Sequence, residues 1–139
     1  MTPTETEVAE ANRRFYAAFE SLEVERMEEV WLRESHISCV HPGWDRLFGW
    51  GPIMQSWQRI FTHTHEMRIT LTDVQIRVAG DVAWVLLTER IDSRHTEGKS
   101  IGVVQATNIY ERRGRSWFMV HHHGSPVINP EDAGGNRLQ

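Results

Sequence analysis

The sequence has a single cysteine, Cys39, so neither an internal disulfide framework nor a cysteine-based zinc site can hold the fold together. It has no apolar run near the ~18 residues that read as a membrane helix, and its start lacks the basic-then-apolar pattern of a leader peptide. A cytoplasmic protein without a membrane span is the expectation. Positive charge is also scarce: the formal net charge is −4 and the pI about 6.0. Nucleic-acid binders are normally basic, with lysine and arginine clustered on one face. The tight basic cluster here, Arg112, Arg113 and Arg115, falls at a turn and reads as a solvated hairpin tip, so no nucleic-acid partner is expected. What remains is ordinary for one globular unit: 139 residues, 40% hydrophobic and 24% charged, enough for a core and a ligand cavity. The domain is placed at 1–128. The polar segment 129–139, with Pro130, Gly134 and Gly135, is expected to be a flexible tail.

The first third reads helical. Thr2-Pro3-Thr4-Glu5 has the form of a capping box with proline at the first helical position. Val8, Ala11, Phe15, Ala18 and Leu22 then recur at helical spacing. A second short helix fits Val24, Met27, Val30 and Trp31, and a short strand fits His36 to Val40, ending in the turn His41-Pro42-Gly43. Pro52 opens a third helix with Ile53, Trp57, Ile60 and Phe61 on one face. From His65 the period becomes two. Ile69 and Leu71 share one parity, whereas Val74, Ile76 and Val78 share the other, which predicts a bulge near Thr72-Asp73. Turns at Gly80-Asp81 and Arg113-Gly114 separate further strands, the last running from Trp117 to Val127. This order is α+β: three N-terminal helices packed in the concave face of a strongly curved, mostly antiparallel sheet, a cone with an internal pocket.

The element order and two motifs resemble the SnoaL-like branch of the nuclear-transport-factor-2-like, cystatin-like superfamily. One motif is Cys39-Val40-His41-Pro42-Gly43-Trp44, followed by a tryptophan-rich helix. The other is the run from Thr107 to Ser125, containing Trp117 and His121-His122-His123. The second is also similar to the closing hairpin of the association domain of calcium/calmodulin-dependent protein kinase II. The resemblance covers about residues 5 to 128 and implies the fold. It does not fix an activity, because this superfamily hosts isomerases, dehydratases, cyclases, ligand binders and assembly modules.

His41 falls where similar isomerases carry a proton-shuttling aspartate before a proline. Histidine, with an unperturbed pKa near ~6.5, suits a general base at neutral pH. Phe15 falls where those isomerases place an oxyanion-holding tyrosine. Tyr16 is one residue on, ~100° around a helix, so both cannot face the same way. If the last hairpin turns at Arg113-Gly114, Tyr110 pairs with Trp117, Asn108 with Met119 and Ala106 with His121. Trp117, Met119, His121 and His123 then share a face; a three-residue loop would invert the assignment. The resemblance turns His121 and His123 towards the cavity, near Asn108, and His122 outward or into a dimer interface.

The candidate catalytic residues are therefore His41 and His121. The candidate pocket residues are Tyr16, Trp44, Trp57, Asn108, Trp117, Met119 and His123, walls for a small apolar or aromatic ligand. His121-x-His123 and His63-x-His65 have ligand-compatible spacing, but no glutamate follows at the offset a metal-binding cupin needs, and the family generally works without metal. No metal and no cofactor are expected. The face bearing Trp84 and Leu86, paired with Arg77 and Gln75, is a candidate partner surface, and the family implies a homodimer through the sheets. Three readings follow: a cofactor-independent isomerase, cyclase or dehydratase for a small apolar carbonyl compound, a non-catalytic ligand-binding domain, or an oligomerisation module.

Overall fold

The structure, a computed structural model, describes residues 1–128; the expected tail at 129–139 lies outside the described residues. Two helices come first, α1 (Pro3–Ser21) and α2 (Val24–Val30). The short strands β1 (Ser38–Val40) and β2 (Leu47–Phe48) precede α3 (Trp50–Thr62). Four long strands follow: β3 (Thr64–Ala79), β4 (Val82–His95), β5 (Gly98–Arg113) and β6 (Ser116–Pro126). They form one sheet in the order β2-β1-β6-β5-β4-β3, antiparallel except where β1 runs parallel to β6. This is the expected α+β cone, with the helices against the inner face of a curved sheet.

α1 starts as its first residues dictate. The Thr2 hydroxyl accepts from the Glu5 N–H at 3.0 Å, and the Glu5 carboxylate accepts from the Thr2 N–H at 2.9 Å. Its buried arc comprises Val8, Ala11, Asn12, Phe15, Tyr16, Ala18 and Phe19. Phe15 and Tyr16 are thus both buried, which corrects the expectation that only one could face inward. The sheet curls round α1, and α1 packs on α2, β3 and β6 together. Its buried arc is therefore wider than the ~100° between neighbouring residues.

β3 bends where the parity switch predicts: its register slips between Thr72 and Gln75, with Asp73 at φ 55°. The Gly80-Asp81 turn gives the expected pairs Arg77 with Trp84 and Gln75 with Leu86.

The β5–β6 hairpin departs from the expectation twice. Arg113 pairs with Ser116, so the tip is Gly114-Arg115, and Tyr110 faces Met119 rather than Trp117. A second slip between Ile109 and Tyr110 then leaves Val120 as an extra residue, so Ile109 pairs with His121 and Asn108 with His122. A one-residue bulge moves every later side chain to the other face. Trp117 and Met119 are buried as expected, but beyond Val120 it is His122 that enters the core, while His121 and His123 turn to the outer face. Gly124 follows on the inner face. A Cβ there would meet Pro42 Cγ and Val104 Cγ1 at 3.0 Å, so the missing side chain lets β6 lie against the residue after His41.

Candidate functional site

β1 turns Cys39 and His41 inward and Val40 away, because successive strand residues alternate. The Ser56 hydroxyl on α3 donates to the Ile53 carbonyl at 2.6 Å. With its one hydrogen used, it accepts from His41 Nε2–H at 2.8 Å. His41 therefore keeps a lone pair on Nδ1, which faces the Cys39 thiol at 4.0 Å. On β6, His122 Nδ1 lies 2.6 Å from Asn108 Oδ1. The amide oxygen can only accept, so Nδ1 carries the hydrogen, and Nε2, unprotonated, has no hydrogen-bond partner among the described residues. The two imidazoles are 6.4 Å apart. Trp57 packs 4.6 Å from His41 and 6.0 Å from His122, and Phe15 lies 5.0 Å from His122. The indole N–H of Trp57 is buried with no hydrogen-bond partner among the described residues.

Asn108 is the junction of a longer polar chain. Its Nδ2 donates to Asn12 Oδ1 and to the Tyr16 hydroxyl, both at 3.0 Å. Tyr110 donates to the same Asn12 oxygen at 2.7 Å. Tyr16 in turn donates to Glu89 Oε2 at 2.5 Å. Each side chain here is almost fully buried, where an unmade hydrogen bond is costly and a satisfied network rigid.

Burial sets the charge states. Desolvation lowers the pKa of His41 to about 4. Desolvation, reinforced by His41, His121 and His123, holds that of His122 well below its ordinary value. Both imidazoles are neutral at pH 7. Desolvation pushes the Glu89 carboxyl up to about 7, against the pull of the Tyr16 hydrogen bond. Desolvation and the Glu89 charge keep the Tyr16 phenol protonated. Burial also raises the Cys39 thiol, which makes it inert at neutral pH.

The expected site residues divide accordingly. His41, Trp57, Asn108 and Tyr16 converge on one buried cluster. Trp44 is half-buried, its ring edge 4.9 Å from His41. Trp117 and Met119 are buried elsewhere: Trp117 Nε1 donates to Glu7 at 3.3 Å, and Met119 bridges to Trp31. His121 is half-buried on the outer face with Nδ1 2.7 Å from Ser38 Oγ, and exposed His123 lies 5.8 Å from the His121 ring. Among the described residues no group of three or more His, Cys, Asp or Glu side chains is placed to hold a metal ion.

Asn12, Ser56, Glu89 and Tyr110 were not among the expected site residues, and His122, expected outward or in a dimer interface, is buried against Asn108. Two of the first four carried a pattern that could have been read. Glu89 continues the inward parity of Ala83, Val85 and Leu87, and Asn12 lies four residues after Val8 on the apolar stripe of α1.

A curved sheet wrapped over three helices, with polar groups buried between, defines an α+β cone fold. The SnoaL-like domain model matches residues 8–129, and the chain belongs to that family. A structure of the nuclear-transport-factor-2-like family from Streptomyces avermitilis, provisionally named a dehydratase, superposes with a TM-score of 0.86 at 35% identity, covering 92% of this chain and all (100%) of that one. Another, provisionally named a calcium/calmodulin-dependent protein kinase type II association domain from Thiobacillus denitrificans, gives 0.75 at 30% identity, covering 85% and 93%. The F-box protein SKIP8 of Arabidopsis thaliana is 26% identical over 121 residues, which are 87% of this chain and 50% of that protein. The chain thus spans about half the length of this curated relative. Among the described residues no helix is long and apolar enough to cross a membrane.

Proposed function

We propose that the chain is a cofactor-independent proton-transfer enzyme acting on a small apolar carbonyl compound, with His122 and His41 as its bases. One observation carries this reading. Two neutral imidazoles from different elements face a common ring cluster, each anchored through one N–H and keeping one lone pair. A base whose conjugate acid is disfavoured by burial is fully available at neutral pH. It takes a proton from the carbon beside the carbonyl, and the electron pair moves onto the carbonyl oxygen. The unpaired Trp57 N–H is the donor at hand for that oxygen. Returning the proton to another carbon gives isomerisation; returning it to a departing β-hydroxyl, which leaves as water, gives dehydration. The provisional dehydratase name of the Streptomyces structure agrees with this class.

Deuterium uptake by 2-tetralone in D2O, followed by NMR, tests the base. Wild type should accelerate uptake over buffer, and His122→Gln or His41→Gln should lose roughly 10²-fold or more of that acceleration. If 2-tetralone raises the melting temperature but exchanges no faster than in buffer, the chain is a binding domain instead.

The outer sheet face supports self-association as well. Val82, Trp84 and Leu86 are 38%, 37% and 41% exposed in one row of β4, flanked by half-buried Ile109 and Phe118. An apolar strip of this kind marks an interface, and the two-fold arrangement is a homodimer through the sheets, in the cytoplasm where a free thiol persists. Sedimentation should give a dimer for wild type and a monomer for Trp84→Glu/Leu86→Glu. A monomeric wild type removes the homodimer, and a larger ring makes the chain an assembly module.

A further inference from the structure

We propose that the open cleft beside Trp44 receives the charged end of the substrate, and that the substrate is a small monocarboxylate with an apolar body. The inference rests on the reading of the buried histidine pair as the reacting centre and adds to it the substrate class.

The cleft has a volume of about 480 Å³ and lies where the end of α3, the start of β3 and the β4–β5 turn meet. Trp44 and Ile60 give it an apolar wall; Arg59, His63, His95 and Glu97 are its charged and titratable lining. It is separated from the reacting centre by one ring. Trp44 meets the cleft on one side and the His41 ring at 4.9 Å and 70° on the other. The Trp44 backbone is pinned by its N–H to the His41 carbonyl at 2.9 Å. Passage from the cleft to His41 would then need the Trp44 side chain to rotate, a side-chain motion rather than a backbone rearrangement.

Arg59 supplies the recognition. Its guanidinium stacks over the Trp44 ring at 5.4 Å, and no carboxylate lies within ion-pair distance of it among the described residues. By contrast Arg13, Arg94, Arg112 and Arg113 are each matched to a glutamate or aspartate. A guanidinium that lies over an aromatic ring and has no carboxylate partner keeps N–H groups free, and its edge matches a carboxylate in two parallel hydrogen bonds. Arg59 also lies three residues after Ser56, the anchor of His41, so the two are neighbours on one helix face. A carboxylate on Arg59 puts the next few carbons of the same molecule towards His41. Glu97 shares the cleft and disfavours a doubly charged phosphate, so a single negative charge fits best.

The test uses three probes with one body: 3-phenylpropionate, 3-phenylpropionamide and 3-phenylpropylamine, titrated calorimetrically into wild type, Arg59→Gln and Arg59→Lys. The acid should bind wild type at least tenfold more tightly than the amide or the amine. Arg59→Gln should abolish that preference while leaving the amide unchanged, and Arg59→Lys should restore part of it. Equal binding of all three, preference for the amine, an acid affinity indifferent to Arg59, or no binding of the acid overturns the proposal. Catalysis fails separately: acid-selective binding without any deuterium exchange leaves the cleft assignment standing and removes the bases. Exchange on 2-tetralone without acid selectivity does the reverse.

Discussion

Asn108→Ala is expected to lose about 3–5 kcal/mol of stability, the largest effect of any single polar substitution in this chain. The amide bonds three neighbours at once. It accepts from His122 Nδ1–H and donates to Asn12 and Tyr16, while Tyr110 closes the set through Asn12. Truncation leaves the His122 N–H without its acceptor and the Asn12 and Tyr16 oxygens without one donor each. Every one of these groups is buried too deeply for water to replace what is lost. Leaving a buried polar group unpaired costs about 1–3 kcal/mol each, and the vacated amide volume adds to the sum. The tautomer of His122 is released at the same time, so the base loses its orientation as well as its support. Urea denaturation of wild type and variant measures the change. A loss below about 1 kcal/mol would mean that the network is already solvated, and that Asn108 does not hold His122.

Why part of this site was legible in the sequence and part was not has a physical cause in each case. The helices carried their own markers: a capping box at Thr2 to Glu5 and apolar residues at helical spacing. The bend in β3 was visible because apolar parity changes across Thr72-Asp73 against a polar background. The bulge at Val120 was hidden for the opposite reason. Trp117, Phe118, Met119 and Val120 are all apolar, so no alternation existed there for an extra residue to break. One unmarked residue exchanged His122 for His121 and His123 as the inward imidazole. Glu89 was obscured by its chemistry. Its parity placed it inward, but a carboxylate is ordinarily a surface group, and its partner Tyr16 comes from a helix 73 residues away in sequence. Long-range hydrogen bonds leave no local periodicity, so the polar cluster emerges only when the fold brings its members together.

The same three buried groups shape stability against pH, with a maximum expected near pH 6.5. His41 titrates near 4 in the folded chain against 6.5 ordinarily, and burial holds His122 well below its ordinary value. Between these limits the unfolded chain binds more protons on both histidines than the folded one does, so acidification below 6.5 destabilises. Glu89 acts oppositely. Its folded value near 7 lies above the ordinary 4.5, so the folded chain holds the extra proton between those values, and stability falls as pH rises through that window. From pH 6.5 down to 4.5 two histidines oppose one carboxyl. The net uptake of about one proton on unfolding corresponds to roughly 1.4 kcal/mol per pH unit. From 6.5 to 7 the histidines are silent and Glu89 alone gives a shallow decline. Glu89→Gln keeps an acceptor for the Tyr16 hydroxyl but removes the titration. Its acid limb should steepen towards two protons, and its decline above 6.5 should vanish. Denaturation midpoints between pH 4.5 and 8 decide the matter. If wild-type stability instead climbs steadily from 6.5 to 8, Glu89 is ionised throughout that range and the carboxyl end of the network is not held protonated. If the acid limb is unchanged in His122→Gln, the buried imidazole is not what acid attacks, and its neutrality as a base loses its support.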